Sequence, residues 1–466
     1  MSILDNLTKK LPEVKGPEEK YLSFNTKLKW TLIILSAFYI LSVVPLYGLG
    51  QNALSQFESL SILLGASFGS ILSLGIGPIV TASIVLQLLV GSEILKFDTT
   101  TKEGRAKFQG VQKIAAIFFI IFEAVIYVIL GGLAPASDLS QSTFFTIQLV
   151  LIFQLLVGGM IVLFMDEVLN KWGFGSGISL FIAAGVSSQI FVRILSPLTR
   201  AGTFAFSSGE SPVGQLWVFL LSLIGRNPRE AFLAALLIIF TILIFIVATY
   251  VQSMKVEIPL SFGRIRGHGI RWPLKFIYTS NIPVILIAAL FANIQLWARL
   301  LESRGYPILG TFAGNVPVSG IVAWLFAPNL PAEILGGSFR PILILQSLVY
   351  ISTFVIGSII FSIFWVQTSG MNASSQAKQI INSGLQVPGF RRDPRVVERL
   401  LERYISPLTV MGAIVVGFLA STADLLGALS SGTGILLTVM IIYRLYEDIS
   451  KQHMADINPV FRKMIE

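Results

Sequence analysis

Cysteine is absent from the 466 residues, which excludes disulfides, cysteine-held iron–sulfur clusters and thiol nucleophiles. Histidine is nearly absent. His268 and His453 are the two present, too few and too far apart for a histidine-based metal site. Charge is scarce too: 13% of residues are Asp, Glu, Lys or Arg, where a soluble domain carries about 25%. No phosphate-binding loop, zincin helix or nucleophile elbow occurs, so no motif argues for an enzyme, and neither a metal nor a cofactor is expected. What fills the chain is apolar. It is 54% hydrophobic with a mean hydropathy of +0.78, the composition of a polytopic membrane protein with little room for a soluble domain.

Apolar runs near the length needed to cross a bilayer, about 20 residues, occur at 30–49, 71–93, 114–133, 146–165, 174–195, 231–251, 276–297, 341–366, 405–426 and 432–447. The first is too long for a signal-peptide core and reads as an uncleaved span. An even number of spans puts both termini on one side. Of the 34 Lys and Arg, 27 fall on that side; the other seven are Arg193, Arg200, Arg226, Arg229, Arg299, Arg304 and Arg340. That asymmetry places both termini in the cytosol.

The expected plan is all-α. Residues 1–29 form a cytosolic amphipathic leader, 30–195 a first half of five spans, and 196–230 an external loop. Residues 231–452 form a second half of five, and 453–466 a cytosolic tail. Long basic cytosolic loops fall at 252–275 and 367–404, and a further long external loop, rich in Gly, Pro and Ser, at 298–340. Five is odd, so the two halves enter the membrane from opposite sides, an inverted arrangement of the kind transporters use.

Residues 71–91, ILSLGIGPIVTASIVLQLLVG, are the stretch around which the chain is organised. Gly75, Gly77 and Pro78 stop a regular helix from running straight into the span. Ahead of it, residues 52–70 are only moderately apolar and read as a short amphipathic half-helix followed by a Gly/Ser break. Irregular backbone at bilayer depth is tolerated where protein covers it or a wet cavity borders it, so a broken span points to a pore or binding site. Four spans begin this way: GIGPIV at 75–80, GSGISLFI at 175–182, SNIPVI at 280–285 and GTGILL at 432–437. The pairs Ile76/Val80 and Ile178/Ile182 share a helix face at a spacing of four. A neck lined by such residues resists ions, because stripping an ion of water in a low-dielectric passage is very costly, and narrow apolar necks gate by dewetting. Aliphatic side chains still yield to a softer, wider object. The same pairs also suit ordinary helix packing beside glycines that permit close approach, and the residues alone leave both readings open.

Glu123 sits in the middle of span 3. A carboxylate there costs roughly 2.5–3.5 kcal/mol on insertion scales, so it is expected to face protein or water. Thr81 and Asn281 are the expected polar partners, and both a proton or ion site and a structural hydrogen bond remain open. Asp166, Glu167 and Asp424 lie near span ends and read as solvated interfacial groups. The loop stretches SFGRIRGHGIRW (261–272) and VPGFRRDPRVVERLLERY (387–404) present Arg on Gly- and Pro-shaped tips, suited to phosphate or an acidic partner.

The strings LGIGPIVTA (74–82), YTSNIPVI (278–285), ALFANIQLW (289–297) and GTGILLTV (432–439), in this order, resemble the SecY family, the central subunit of the protein-conducting channel. The likeness spans essentially all ten runs. VEIPLSFGRIRG (256–267) and SSGTGILLTV (430–439) place it nearest the archaeal and eukaryotic branch. The resemblance implies ten transmembrane helices in two inverted five-helix halves around an hourglass pore. It implies a ring of Ile76, Val80, Ile178, Ile182, Ile285 and Leu437, and a plug at 52–66. It implies a lateral gate of spans 2, 3, 7 and 8 carrying Thr81, Glu123 and Asn281. It implies that Arg264, Arg266 and Arg391 fall in the loops that in the family dock a ribosome or motor. The implied partners are a SecE-like subunit, a beta or SecG-like subunit, a ribosome or other cytosolic driving partner, signal sequences, nascent polypeptides and the lipid bilayer. The implied location is the cell membrane, or the endoplasmic reticulum membrane in a eukaryote. The rival class is a secondary transporter with inverted repeats, which needs polar groups at the midplane to hold solute and coupling ion.

Overall fold

The computed structural model describes residues 11–19, 22–50, 66–92, 94–95, 97, 101–136, 139–199, 203–208, 210–262, 269–314, 316–382, 385–386, 393–429 and 431–457. Each of the ten apolar runs contains a helix: α1 Phe24–Val43, α2 Gly77–Gly91, α3 Lys102–Ile129, α4 Gln141–Trp172, α5 Gly177–Leu195, α6 Pro228–Ser253, α7 Ile282–Ser303, α8 Ile342–Thr368, α9 Pro394–Leu425 and α10 Gly432–Ile457. Eight are long and apolar enough to cross a membrane; α2 and α10 fall outside that set, α2 being too short.

Local chemistry sets the helix starts. Ser23 and Thr101 cap α1 and α3 by accepting from Thr26 N and Gly104 N. Asp393 does the same for α9 through Arg395 N at 2.9 Å. Proline occupies the first turn of α2, α6, α7 and α9, where its missing N–H costs nothing.

Span 2 departs from expectation. The apolar run begins at residue 71, but the helix begins at Gly77 and has 15 residues, about 22 Å against a hydrocarbon core of about 30 Å. Residues 66–76 are a chain of tight turns. Ser70 N donates to Ser67 O, Ser73 N to Ser70 O and Gly75 N to Leu72 O. Gly69 and Gly75 take positive φ, 94° and 54°. Because these turns satisfy their own backbone, Leu72, Leu74 and Ile76 can be buried without a helix. Gly158 of α4 lets them in: a Cβ there would collide with the Ile71 carbonyl oxygen. The expected half-helix at 52–66 lies outside the described residues, except for Ala66.

Burial ranks the helices. The apolar window of α7 is 72% buried, against 17% for α1 and 28% for α6. α7 is therefore the central helix. It packs on α2, α8, α9 and α10. The outer face of α6 bares Phe232, Ile239, Phe245 and Tyr250, as a lipid-facing helix does.

The basic loops have structure at their bases. β1 (Lys255–Phe262) and β2 (Gly269–Lys275) form an antiparallel hairpin with Ile258 opposite Trp272. A two-residue hairpin, β3 (Phe312–Ala313) with β4 (Val316–Pro317), lies in the 298–340 loop. β5 (Leu385–Gln386) adds to the β1 edge, pairing Phe262 with Leu385, so the loops at 252–275 and 367–404 join in one sheet of order β2-β1-β5. A second apolar core, with Ile258, Leu274, Ile380, Val397 and Leu401, anchors this platform to the start of α9.

Candidate functional site

The six aliphatic candidates fall on four helices. Ile76 is the residue just before α2 and Val80 lies in its first turn; Ile178 and Ile182 open α5, Ile285 opens α7 and Leu437 lies early in α10. All six belong to one apolar cluster. Ile76, Val80, Ile182, Ile285 and Leu437 are 0–6% exposed and Ile178 is half-buried. That decides against a lipid-facing placement. The helices that carry them are packed neighbours in the order α2, α7, α10, α5. Each candidate sits within a turn or two of a helix start, where a Gly, Pro or Asn interruption has just let the backbone turn.

Next to this cluster, α2 and α3 of the first half meet α7 and α8 of the second. The seam has four kinds of contact along its length. Toward the end of α2, Gly91 lies against the Phe364 ring of α8, with no room for a Cβ unless the ring moves. At its centre Asn293 Nδ2 of α7 donates to Thr81 Oγ1 of α2 at 2.9 Å. Further along α7, Trp297 meets the Phe122 ring of α3 with centroids 5.5 Å apart. At the last turn of α7 the Ser303 hydroxyl lies within reach of Leu130 O, just past α3, at 3.2 Å and of Leu300 O of its own helix at 2.8 Å, with one proton to give.

Glu123 of α3 is 1% exposed. The Thr81 hydroxyl lies within reach of its Oε1 at 3.3 Å and of Gly77 O at 2.9 Å, and has one proton to give. Glu123 Oε2 and Asn293 Oδ1 have no hydrogen-bond partner among the described residues. The polar cluster is thus incompletely satisfied, which weakens its hold on the seam.

The expected triad is corrected at one position. Asn281 is not in the hydrogen-bonded cluster. It precedes α7, accepts from Ser280 Oγ at 3.1 Å, and its Nδ2 has no partner among the described residues. Asn293 takes the place given to it. Twelve residues of helix separate the two by about 18 Å and about 120° of rotation, so both cannot reach Thr81. The signal for Asn293 was present: it is one of two amides, with Gln295, in the apolar stretch ALFANIQLW, and Gln295 is taken up by Leu325 O at 3.0 Å. Which of two amides meets Thr81 depends on how deep α7 sits beside α2.

The span-end carboxylates also differ from expectation. Glu167 pairs with Lys113 at 2.8 Å and with Lys171 at 3.0 Å. It also accepts from Val14 N at 3.2 Å, and Lys171 reaches Glu13, so the leader segment is strapped to α3 and α4. Asp166 and Asp424 accept backbone N–H groups from the next helix. Arg264, Arg266 and Arg391 lie outside the described residues. The strand pairing that flanks them is described, and it brings their two loops side by side.

Among the described residues no group of three or more His, Cys, Asp or Glu could hold a metal ion. A transporter site would ask for polar groups facing a cavity at the midplane. Here the central carboxyl is buried against a threonine at a helix seam.

The SecY family profile matches residues 70–446. A relative from Methanothermobacter thermautotrophicus, named protein translocase subunit SecY, is 44% identical over 460 residues, covering 98% of this chain and 96% of its own. The chain belongs to the SecY family. Two solved members share the fold at 40% identity. One is a study of the SecY plug domain, described as stabilising the closed state and maintaining a membrane seal, with a TM-score of 0.81 over 98% of this chain and 99% of that one. The other is Sec61 in a canine ribosome–channel complex from the endoplasmic reticulum, with a TM-score of 0.79 over the same shares. Archaeal and canine relatives at these identities place the chain in the archaeal and eukaryotic branch of SecY. The chain is a multi-pass membrane protein and a pore-forming subunit of a protein-translocation channel.

Proposed function

We propose that the six aliphatic residues Ile76, Val80, Ile178, Ile182, Ile285 and Leu437 are the neck of that pore, and that the α2/α3–α7/α8 seam is its lateral exit. The observation that supports this most is the joint burial of the six in one apolar cluster at four interrupted helix starts. At rest the neck is closed to ions because it offers no polar group to replace their hydration. Residues 52–66 plug it from outside, and both termini face the cytosol. A ribosome or other driving partner binds the paired basic loops through Arg264, Arg266 and Arg391. A signal sequence, with an apolar core of about 7–15 residues, inserts at the seam. Its transfer to lipid yields roughly 25 cal/mol per Å². The Asn293–Thr81 bond it must part is of a class averaging about 0.6 kcal/mol in membranes. The chain then threads the neck, and apolar segments leave sideways into lipid. The seam holds the channel closed without locking it. A SecE-like subunit and a beta or SecG-like subunit complete the assembly.

The test is electrical. Replacing Ile76, Val80 and Ile182 together with Gly should raise the resting ion leak in planar bilayers. A conductance equal to that of the parent channel would reject the neck assignment.

A further inference from the structure

Two of the helices that carry ring residues, α5 of the first half and α10 of the second, start in the same way. Helix starts leave backbone N–H groups without intrahelical partners. At α5 the residue in the cap position, Ser176, makes no side-chain cap bond. The acceptor comes instead from the preceding helix: Asp166 Oδ1 of α4 accepts from Ile178 N at 2.9 Å. At α10, Asp424 Oδ1 of α9 accepts from Thr433 N at 2.8 Å, and its Oδ2 accepts from the Thr433 hydroxyl and from the Tyr350 OH of α8, the latter at 2.8 Å. Ser431 adds an ordinary cap by accepting from Gly434 N at 3.2 Å.

The correspondence runs further. In each half the fourth helix holds the start of the fifth. In each, a ring residue lies four positions beyond the captured N–H: Ile182 after Ile178, and Leu437 after Thr433. In each, a glycine makes the approach possible. A Cβ on Gly177 would stand 2.6 Å from Asp166 Cα and 2.7 Å from its Oδ1, and a Cβ on Gly432 would collide with the Ala423–Asp424 backbone. The two halves are inverted, so the clasps sit at opposite faces of the membrane and hold the neck from both ends.

We propose that Asp166 and Asp424 are paired positioning residues that fix the rotation and depth of α5 and α10, and through them the closure of the ring. This rests on the neck reading above. Removing the acceptor frees a ring-bearing helix to shift along its axis, and the neck loses its fit.

The experiment compares D166A, D424A, D166N and D424N in the complete channel complex, reading resting ion leak in planar bilayers and thermal stability in detergent. I182G serves as a ring control, and L401A as a lesion of the separate cytosolic core. The alanine variants should leak roughly five- to tenfold more than the parent, the scale of losing a helix cap. The asparagine variants keep a side-chain oxygen for the backbone N–H and should stay tight. L401A should melt earlier without leaking. If I182G leaks and the alanine variants do not, or if L401A leaks as much as they do, the positioning role is overturned. If I182G itself is tight, the neck reading falls and this inference with it. Should the alanine variants fail to assemble, G177A decides. It leaves Asp166 in place but wedges it from Ile178, and a folded, tight G177A channel refutes the proposal.

Discussion

Replacing Asn293 with Ala tests the seam at its most informative point. Of the three polar side chains at its centre, Thr81 and Glu123 belong to helices of the same half, and only Asn293 reaches across. The Thr81–Glu123 contact therefore braces α2 against α3 and adds nothing directly to closure. The Asn293–Thr81 bond joins α7 to α2. Hydrogen bonds of this kind in membrane proteins average about 0.6 kcal/mol and reach about 1.7. Losing one shifts the open-to-closed ratio about threefold, and about 16-fold at the upper bound. The truncated side chain leaves Thr81 able to donate to Gly77 O, so no new unpaired hydroxyl proton arises. The assay is translocation into proteoliposomes of a substrate whose signal core has been shortened until the parent channel passes it poorly. The N293A channel should pass it about three times better, and E123A should change it less than N293A. N281A should not act through this bond at all. An effect of E123A equal to or larger than that of N293A would refute the assignment of the cross-seam bond.

Three further outcomes follow from other contacts. Charge-reversing Arg264, Arg266 and Arg391 together should weaken ribosome binding and flatten its dependence on salt, because each lost phosphate contact removes roughly 0.7–0.9 from the log–log slope; binding assays across a salt series measure it. E167Q removes the anion shared by Lys113 and Lys171 and loosens the leader, so limited proteolysis within residues 11–19 should speed up, and rising salt should narrow the difference from the parent. G158A drives a methyl into the Ile71 carbonyl and should lower stability by about 1–3 kcal/mol, read as an earlier thermal transition in detergent.

The places of the apolar helices, the interrupted starts and the aliphatic character of the buried residues they carry were legible in the sequence. Those features are local: hydropathy over about 20 residues, a proline in a first turn, a glycine where the backbone must take positive φ at Gly69 or Gly75. The motifs around Gly75, Asn281, Asn293 and Gly432 carried the resemblance to the family as well. In span 2 the glycines and Pro78 marked the break, but hydropathy counts residues 71–76 as part of a full span and is blind to the turns that leave a helix of only 15 residues.

Pairings across the bundle were decided only by the folded chain. Hydropathy ranks a helix as buried but says nothing of its rotation or its depth beside a neighbour. A third of a turn and about 18 Å along α7 choose Asn293 over Asn281. The same blindness made Asp166 and Asp424 read as solvated span ends, when each accepts an N–H from the first turn of the next helix, twelve and nine residues later. It also hid the strand that ties the two basic loops together, since β5 is two residues long and has no alternation to detect. The sequence by itself determined what kind of surface each segment has. Tertiary structure determined which surfaces meet, because that depends on rigid helices finding a joint fit that no single segment encodes.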